Sequence, residues 1–153
     1  MKKTILATAV AFALSAGYTL TAFSQVKPET LQLQRHSAMT LQGKYLYSII
    51  PMAQGKIPYD AKIVARNAGF LDALTQMPWD GFQASTADLK NTRASPEIYK
   101  EEAKFRTHQE NLRAEVGRFM ATVKAGNEAS IKEGIVTLNN TCNKCHDDFR
   151  IKR

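Results

Sequence analysis

The spacing of apolar positions between residues 28 and 149 is typical of helices rather than strands. Apolar side chains recur every three or four residues, and no segment alternates with a period of two while being rich in β-branched residues. Proline and glycine interrupt the pattern at residues 51–58, 78–81, 96 and 126–127. The sequence therefore predicts four amphipathic helices.

The first two helices are predicted over residues 28–50 and 60–76. Pro28 and Glu29 suit the opening turn of the first helix, and Asp60 is a suitable N-cap for the second. The inner face of the first helix is predicted to carry Leu31, Arg35, Met39, Gln42 and Leu46. The inner face of the second is predicted to carry Ile63, Phe70, Leu71 and Leu74.

The third helix is predicted to begin at Ser95-Pro96-Glu97, an N-cap followed by a proline, and to end at Gly126. Its apolar stripe consists of Ile98, Phe105, Leu112, Val116, Phe119 and Val123. The fourth helix is predicted from Asn127 to Phe149, with Ile131, Ile135 and Leu138 on its stripe. The polar residues 86–95 are predicted to form a surface loop.

Four amphipathic helices with mostly short connections indicate an all-α fold, an antiparallel four-helix bundle. In such bundles, cofactors are bound between facing helices. The long segment between the second and third helices permits a crossing connection. Part of each apolar stripe is then expected to line a cofactor pocket rather than to form plain core.

The first residues have the features of a secretory signal peptide. Lys2 and Lys3 precede an apolar stretch over residues 5–22, and Ala22-Phe23-Ser24 provides small residues for cleavage. An uncleaved membrane anchor is the alternative, but the stretch contains Ser15, Gly17, Tyr18, Thr19 and Thr21. We expect residues 1–24 to be removed, and residues 25–153 to form one domain in the bacterial periplasm, free of the membrane.

The formal charge of +7 is modest. It falls to +5 without Lys2 and Lys3, because no acidic residue precedes Glu29. No run of basic residues resembles a nucleic-acid-binding arm, so no nucleic-acid partner is predicted. The positive charge suits either a solvated surface or an acidic redox partner.

Cys142-Asn143-Lys144-Cys145-His146 matches C-x-x-C-H, the attachment motif for covalent c-type haem. On a helix, residues at i, i+3 and i+4 share one face, so both thiols and the imidazole point toward one flat cofactor. A thioredoxin-like C-x-x-C requires a strand–helix–strand setting, which the pattern does not predict. A structural zinc site requires four ligands, and the chain contains only these two cysteines.

The chain resembles cytochrome c′, the class II c-type cytochromes, over essentially all of residues 25–153. The resemblance depends on the C-terminal position of Cys142-x-x-Cys145-His146 and on the Asp147, Phe149 and Arg150 that follow. Further matches are Arg35-x-x-x-Met39 and the motifs within residues 55–60, 78–82 and 95–99. The haem pentapeptide is shared widely, whereas the ensemble is much more specific.

This resemblance implies one covalent haem c per chain and assigns a role to each matching residue. The attachment and axial residues are Cys142, Cys145 and His146. The distal pocket is formed by Met39, Trp79 and Phe82, the propionate side by Arg35 and His36, and the proximal side by Arg150.

Each of these assignments has a plainer alternative. Met39 is either packing or an iron ligand, and Arg35 is otherwise a solvated surface charge. Arg150 also suits a helix C-terminal cation. Two further histidines, His36 and His108, are expected to be exposed rather than bound to metal.

The resemblance implies five-coordinate, high-spin iron with His146 as its axial ligand. Because Met39, Trp79 and Phe82 offer dioxygen no well-placed hydrogen-bond donor, we expect the site to bind nitric oxide or carbon monoxide, with electron transfer as a secondary ability. The alternative is a low-spin electron carrier of the cytochrome c556 type, with both His146 and Met39 on iron. No enzyme activity is predicted, because these wall residues lack the acid–base group of a peroxidase.

Relatives commonly form homodimers through the first two helices, and a homodimer is expected here. Ile49, Ile50 and Met52 are predicted to supply outward apolar surface. Alternatively, the same residues cap the core of their own bundle.

Overall fold

The computed structural model describes residues 26–152 and confirms the predicted all-α four-helix bundle. The helices are α1 (Pro28–Tyr47), α2 (Ile50–Ala53), α3 (Ala61–Leu74), α4 (Glu97–Lys100), α5 (Glu102–Ala125) and α6 (Glu128–Phe149). Two 3-10 turns, Trp79–Gly81 and Ala84–Thr86, follow α3. The predicted signal peptide lies outside the described residues. Within residues 26–152, no helix has the length and apolar composition needed to cross a bilayer.

The predicted helix starts at Asp60 and Asn127 are confirmed by their hydrogen bonds. The Asp60 carboxylate accepts from the backbone N–H groups of Lys62 at 2.9 Å and Ile63 at 3.0 Å. The Asn127 side chain accepts from the backbone N–H of Ser130 at 2.9 Å. Each cap satisfies backbone donors that have no partner in the first turn of a helix.

The long helices α1, α3, α5 and α6 form the bundle. Gly126 ends α5 with a φ of 78°, a left-handed conformation that glycine adopts without strain. Because only Gly126 and Asn127 separate α5 from α6, these helices pack as an antiparallel pair. Helix α3 packs between α5 and α1, and the short α2 closes the bundle against α6.

Two apolar clusters stabilise the bundle. The larger cluster joins all four long helices and consists of Leu46, Ile49, Met52, Val64, Ala68, Leu71, Leu112, Val116, Phe119, Ile131, Ile135 and Leu138. The smaller cluster consists of Ile98, Phe105 and Phe149, with Trp79, Phe82 and Cys145 packed against it. The smaller cluster therefore lies at the end of α6 that carries the cysteines.

Two predicted helices are shorter than expected. The first ends at Tyr47 rather than Ile50, because Pro51 has no N–H to continue the helical hydrogen bonds, and the chain turns into α2. The third starts at Glu97 as expected but breaks at Glu101, whose φ of −112° and ψ of 47° are not helical. This break separates α4 from α5.

Three apolar residues lie elsewhere than predicted. Phe70 is 42% exposed and packs against Tyr45 with tilted rings whose centroids are 4.7 Å apart, because the buried side of α3 is formed by Val64, Asn67, Ala68, Leu71 and Leu74. Ile49 and Met52 are 0% and 5% exposed. The prediction that they supply an outward apolar surface is therefore wrong, and they cap the core of their own bundle.

The prediction of a surface loop over residues 86–95 is also wrong in part. Thr86 is only 1% exposed. The end of the segment pairs with the C-terminal residues, through the N–H of Ser95 to the carbonyl of Phe149 at 2.9 Å and the N–H of Ile151 to the carbonyl of Arg93 at 2.8 Å. This pairing fixes the segment across the end of α6.

Candidate functional site

A cavity of about 610 Å³ lies between α1, α5, α6 and the segment that connects α3 to α4. Its size is within the range of small-molecule and cofactor pockets, about 300–1,000 Å³. The cavity is lined by every site residue predicted from the sequence: Arg35, His36, Met39, Trp79, Phe82, Cys142, Cys145, His146 and Arg150. The structure thus brings together residues from both ends of the described chain.

Cys142 and Cys145 lie on an unbroken part of α6, one helical turn apart. Cys142 packs against the larger apolar cluster and Cys145 against the smaller one. This burial raises the pKa of each thiol to about 11, so both are protonated near neutral pH. Both are free thiols that face one cavity, as attachment of a cofactor at two points requires.

The imidazole of His146 lines the same cavity and is partly buried. Burial lowers its pKa, and the positive charges of Arg150 and Arg93 lower it further. His146 is therefore held in the neutral form, which has a free nitrogen lone pair. The neutral form is the one that coordinates a metal.

Arg35 on α1 is 4% exposed, so the alternative of a solvated surface charge is wrong. Its guanidinium donates to the carbonyl of Gly81 at 2.7 Å and to the hydroxyls of Thr86 at 2.8 Å, Thr92 at 3.0 Å and Tyr99 at 3.3 Å. All four acceptors are neutral, and within residues 26–152 no carboxylate pairs with Arg35. A buried cation is costly without a counter-charge, so this site suits an anionic group.

The other charged side chains that line the cavity are positive, as Arg35 is. Among the described residues, no aspartate or glutamate lines it, whereas Arg35, Lys44, Arg93 and Arg150 do. His36 is exposed at its edge, as expected. Haem c carries two propionates on an otherwise apolar ring, and this combination of an apolar cavity, two thiols, an imidazole and an unpaired buried cation fits it.

One side of the cavity is closed by an aromatic wall, which consists of Trp79, Phe82 and Phe105. The ring centroids of Phe82 and Phe105 are 5.0 Å apart. The ring centroid of Trp79 lies 6.1 Å from that of Phe82 and 6.2 Å from that of Phe105. The indole N–H of Trp79 donates to the carbonyl of Thr75 at 2.7 Å. The wall therefore presents ring surface to the cavity, and its single N–H donor is already used.

Met39 and Arg150 both line the cavity, and their roles toward a haem are predictions. Met39 is half-buried in the cavity lining. Arg150 is exposed at the rim and is also the C-cap of α6, where its backbone N–H donates to the carbonyl of His146 at 3.0 Å. A cation at that position interacts favourably with the helix dipole.

Sequence reasoning missed several residues of the site. His108, predicted to be exposed, is half-buried, lines the cavity and shares a 2.9 Å hydrogen bond with Asp148. Thr86, Thr92 and Tyr99 were not predicted as partners of Arg35. These contacts join residues 40 or more positions apart, and no periodic signal in the sequence identifies them.

Comparison with known proteins gives a consistent result. The family model described as Cytochrome C′ matches residues 31–150. Cytochrome c′ from Rubrivivax gelatinosus is 32% identical over 126 residues, which cover 82% of this chain and 98% of that protein. Its crystal structure superposes with a TM-score of 0.77 and covers 81% of this chain and 97% of the other.

A second solved structure is a nitric oxide complex of a variant of cytochrome c′ from Alcaligenes xylosoxidans. It is 29% identical, has a TM-score of 0.75 and covers 83% of this chain and 98% of the other. Proteins of this family carry covalently bound haem c. The family match over most of the chain, the shared fold and the cavity that unites both cysteines with His146 show that this chain belongs to the cytochrome c′ family.

Proposed function

We propose that this protein binds haem c covalently through Cys142 and Cys145, with His146 as the single axial ligand, and that it binds nitric oxide or carbon monoxide. When bound, haem c would supply an iron that can take up a diatomic gas or change its oxidation state by one electron. The observation that carries the proposal is the convergence of two free thiols and a neutral imidazole on one apolar cavity. We also propose that Arg35 binds a propionate by a charge-assisted hydrogen bond.

The lining residues support a preference for nitric oxide and carbon monoxide over dioxygen. The side chains of Met39 and Phe82 carry no N–H or O–H group, and the indole N–H of Trp79 is bonded to Thr75. These three residues therefore provide no free hydrogen-bond donor for dioxygen. None of these three residues carries an acid–base group, and we propose a gas carrier or scavenger with secondary electron-transfer ability rather than an enzyme.

Nitric oxide binding is the direct test of this proposal. We expect anaerobic addition of nitric oxide to the reduced protein to shift the Soret band, and carbon monoxide to do the same. Addition of an equal volume of gas-free buffer is the control. An unchanged Soret band after nitric oxide addition would contradict the proposed function. The nitric oxide complex of the Alcaligenes xylosoxidans relative supports the expected result.

A low-spin electron carrier is the second candidate function. It is favoured by one observation, the half-buried thioether of Met39 in the cavity lining. A thioether on iron fills the sixth position, blocks gas binding and raises the reduction potential. The two candidates therefore predict opposite spin states for the ferric protein.

The secretory signal predicted for residues 1–24 supports a periplasmic location for this function, and the positive charge of the chain supports an acidic redox partner. The intact mass of protein purified from the periplasmic fraction should equal residues 25–153 plus one haem. A mass that includes residues 1–24 would contradict cleavage.

We also propose a homodimer that forms through α1 and α3. Both helices expose large apolar side chains, with Leu33 64%, Leu41 40% and Phe70 42% exposed. We expect the wild type to sediment as a dimer and Leu33→Glu as a monomer, because a carboxylate is costly to bury in an interface. Val136→Glu is the matched control, since Val136 is 46% exposed on α6. A monomeric wild type would contradict the dimer.

A further inference from the structure

A polar network behind the aromatic wall connects it to the middle of α1. Nη1 of Arg35 carries two hydrogens, and its two short bonds go to the carbonyl of Gly81 and the hydroxyl of Thr86. Thr86 in turn lies 2.7 Å from the hydroxyl of Tyr99 and 2.8 Å from the carbonyl of Gln83. A threonine oxygen has one hydrogen and two lone pairs, so Thr86 donates to Gln83 and accepts from both Arg35 and Tyr99.

This network fixes the turn that carries the wall. Gly81 lies between Trp79 and Phe82, and a Cβ added to it would be 2.6 Å from the carbonyl oxygen of Leu31 on α1. The turn is therefore packed directly on the α1 backbone, where the bond from Arg35 to Gly81 holds it. The guanidinium carbon of Arg35 also lies 4.9 Å from the centroid of the Phe82 ring, a cation–π contact.

Packing alone does not determine the position of the wall. A second cavity of about 300 Å³ lies on the other side of it, lined by Trp79, Phe82 and Phe105 and also by Tyr99. Because a cavity offers no atoms to contact, packing resists a shift of the rings toward the second cavity less than a filled core would. The hydrogen bonds behind it restrict that movement.

We propose that Thr86 and Tyr99 are positioning residues that, through Arg35, hold the aromatic wall over the cavity and so set the rate at which gas enters it. This inference extends the proposed function, because it assigns the control of gas entry to residues outside the cavity lining. It also connects the propionate side of the cavity to the wall, since the same guanidinium serves both.

Tyr99→Phe and Thr86→Val test the proposal with little change in shape. Tyr99→Phe removes the donor to Thr86, and Thr86→Val removes the acceptor of both Arg35 and Tyr99. One hydrogen bond changes a population by roughly twofold to tenfold. We expect the association rate of carbon monoxide with the reduced holoprotein to rise by about that factor in each variant.

The chain's single tryptophan, Trp79, gives a readout that does not depend on gas binding. Haem quenches tryptophan fluorescence by energy transfer, which depends on distance and orientation. We therefore expect the picosecond fluorescence lifetime of Trp79 to change in Tyr99→Phe and Thr86→Val. If the more buried Thr86→Val fails to fold, Tyr99→Phe is sufficient, because Tyr99 is only partly buried.

Thr122→Val and Tyr59→Phe are the matched controls. The Thr122 hydroxyl donates to the carbonyl of Arg118 within α5, about 25 Å along the helix from Phe105, and Tyr59 packs against the larger cluster. Both controls should retain the wild-type lifetime and rate. If Tyr99→Phe and Thr86→Val also retain the wild-type Trp79 lifetime and carbon monoxide association rate, the proposal is overturned. If the wild type binds no gas, the proposed function fails, and the Trp79 lifetime alone still decides whether the network positions the wall.

Discussion

Protein in which Cys142→Ser and Cys145→Ser are combined is expected to carry no covalently bound haem. Each attachment is a thioether, which requires a sulfur nucleophile that a serine hydroxyl does not replace. The two thiols are the only ones in the chain, and both line the cavity. We therefore expect complete loss of pigment after denaturation in acidified organic solvent, whereas the wild type should keep its pigment on the chain.

Haem staining of denaturing gels and intact mass measure this effect. Each single variant should retain haem through one remaining thioether. Asn143→Ser is the matched control, because Asn143 is exposed between the two cysteines and its replacement leaves both thiols and His146 in place. Pigment that stays covalently bound in the double variant would refute attachment at these residues, and with it the proposed function.

Met39→Ala is expected to increase the association rate of carbon monoxide by about threefold to tenfold. If the side chain of Met39 occupies the space above the iron, a gas must displace it. Complete burial of a methionine side chain is worth about 1.5–3 kcal/mol, so the half-buried Met39 gains about half of that, and each 1.4 kcal/mol corresponds to a factor of ten. Alanine removes this obstacle. Flash photolysis of the carbon monoxide complex measures the rate.

Met77→Ala is the control, because Met77 is 48% exposed and does not line the cavity.

Met39→Ala also separates the two candidate functions. If the thioether of Met39 is a ligand, the wild-type ferric protein is low-spin and shows a near-infrared methionine-to-iron band, which Met39→Ala abolishes. A low-spin wild type with this band would exclude gas binding at a free sixth position and establish the electron carrier.

The helices of the bundle could be predicted because their signals are local. Backbone hydrogen bonds in a helix join residues four apart, so the apolar spacing and the caps at Asp60 and Asn127 are visible in short windows. The prediction of α1 over residues 28–50 failed only at its end, where Pro51 interrupts the bonding. Phe70 was wrongly predicted to lie on the inner face of its helix, because two adjacent stripes of residues on a short helix show the same helical periodicity.

The candidate site could be predicted only in part. The spacing of Cys142, Cys145 and His146 predicts that they share one helix face. The resemblance to cytochrome c′ predicted the residues that lie opposite them. The partners of Arg35 could not be predicted, since Gly81, Thr86 and Tyr99 are 46, 51 and 64 positions away. Hydrogen bonds of that span depend on how the α3–α4 connection folds back over α1, and residues 78–94 of that connection carry no periodic signal.

The amino-acid sequence by itself determined the helical class, the bounds of the long helices to within a few residues and the haem-attachment motif, because each depends on interactions within one or two helical turns. Only the tertiary structure decided that Arg35 is buried with no counter-charge among residues 26–152, that Ile49 and Met52 close their own core, and that the aromatic wall stands between two cavities. These features arise from the packing of distant segments, where desolvation and steric fit select among many arrangements that the local pattern permits equally.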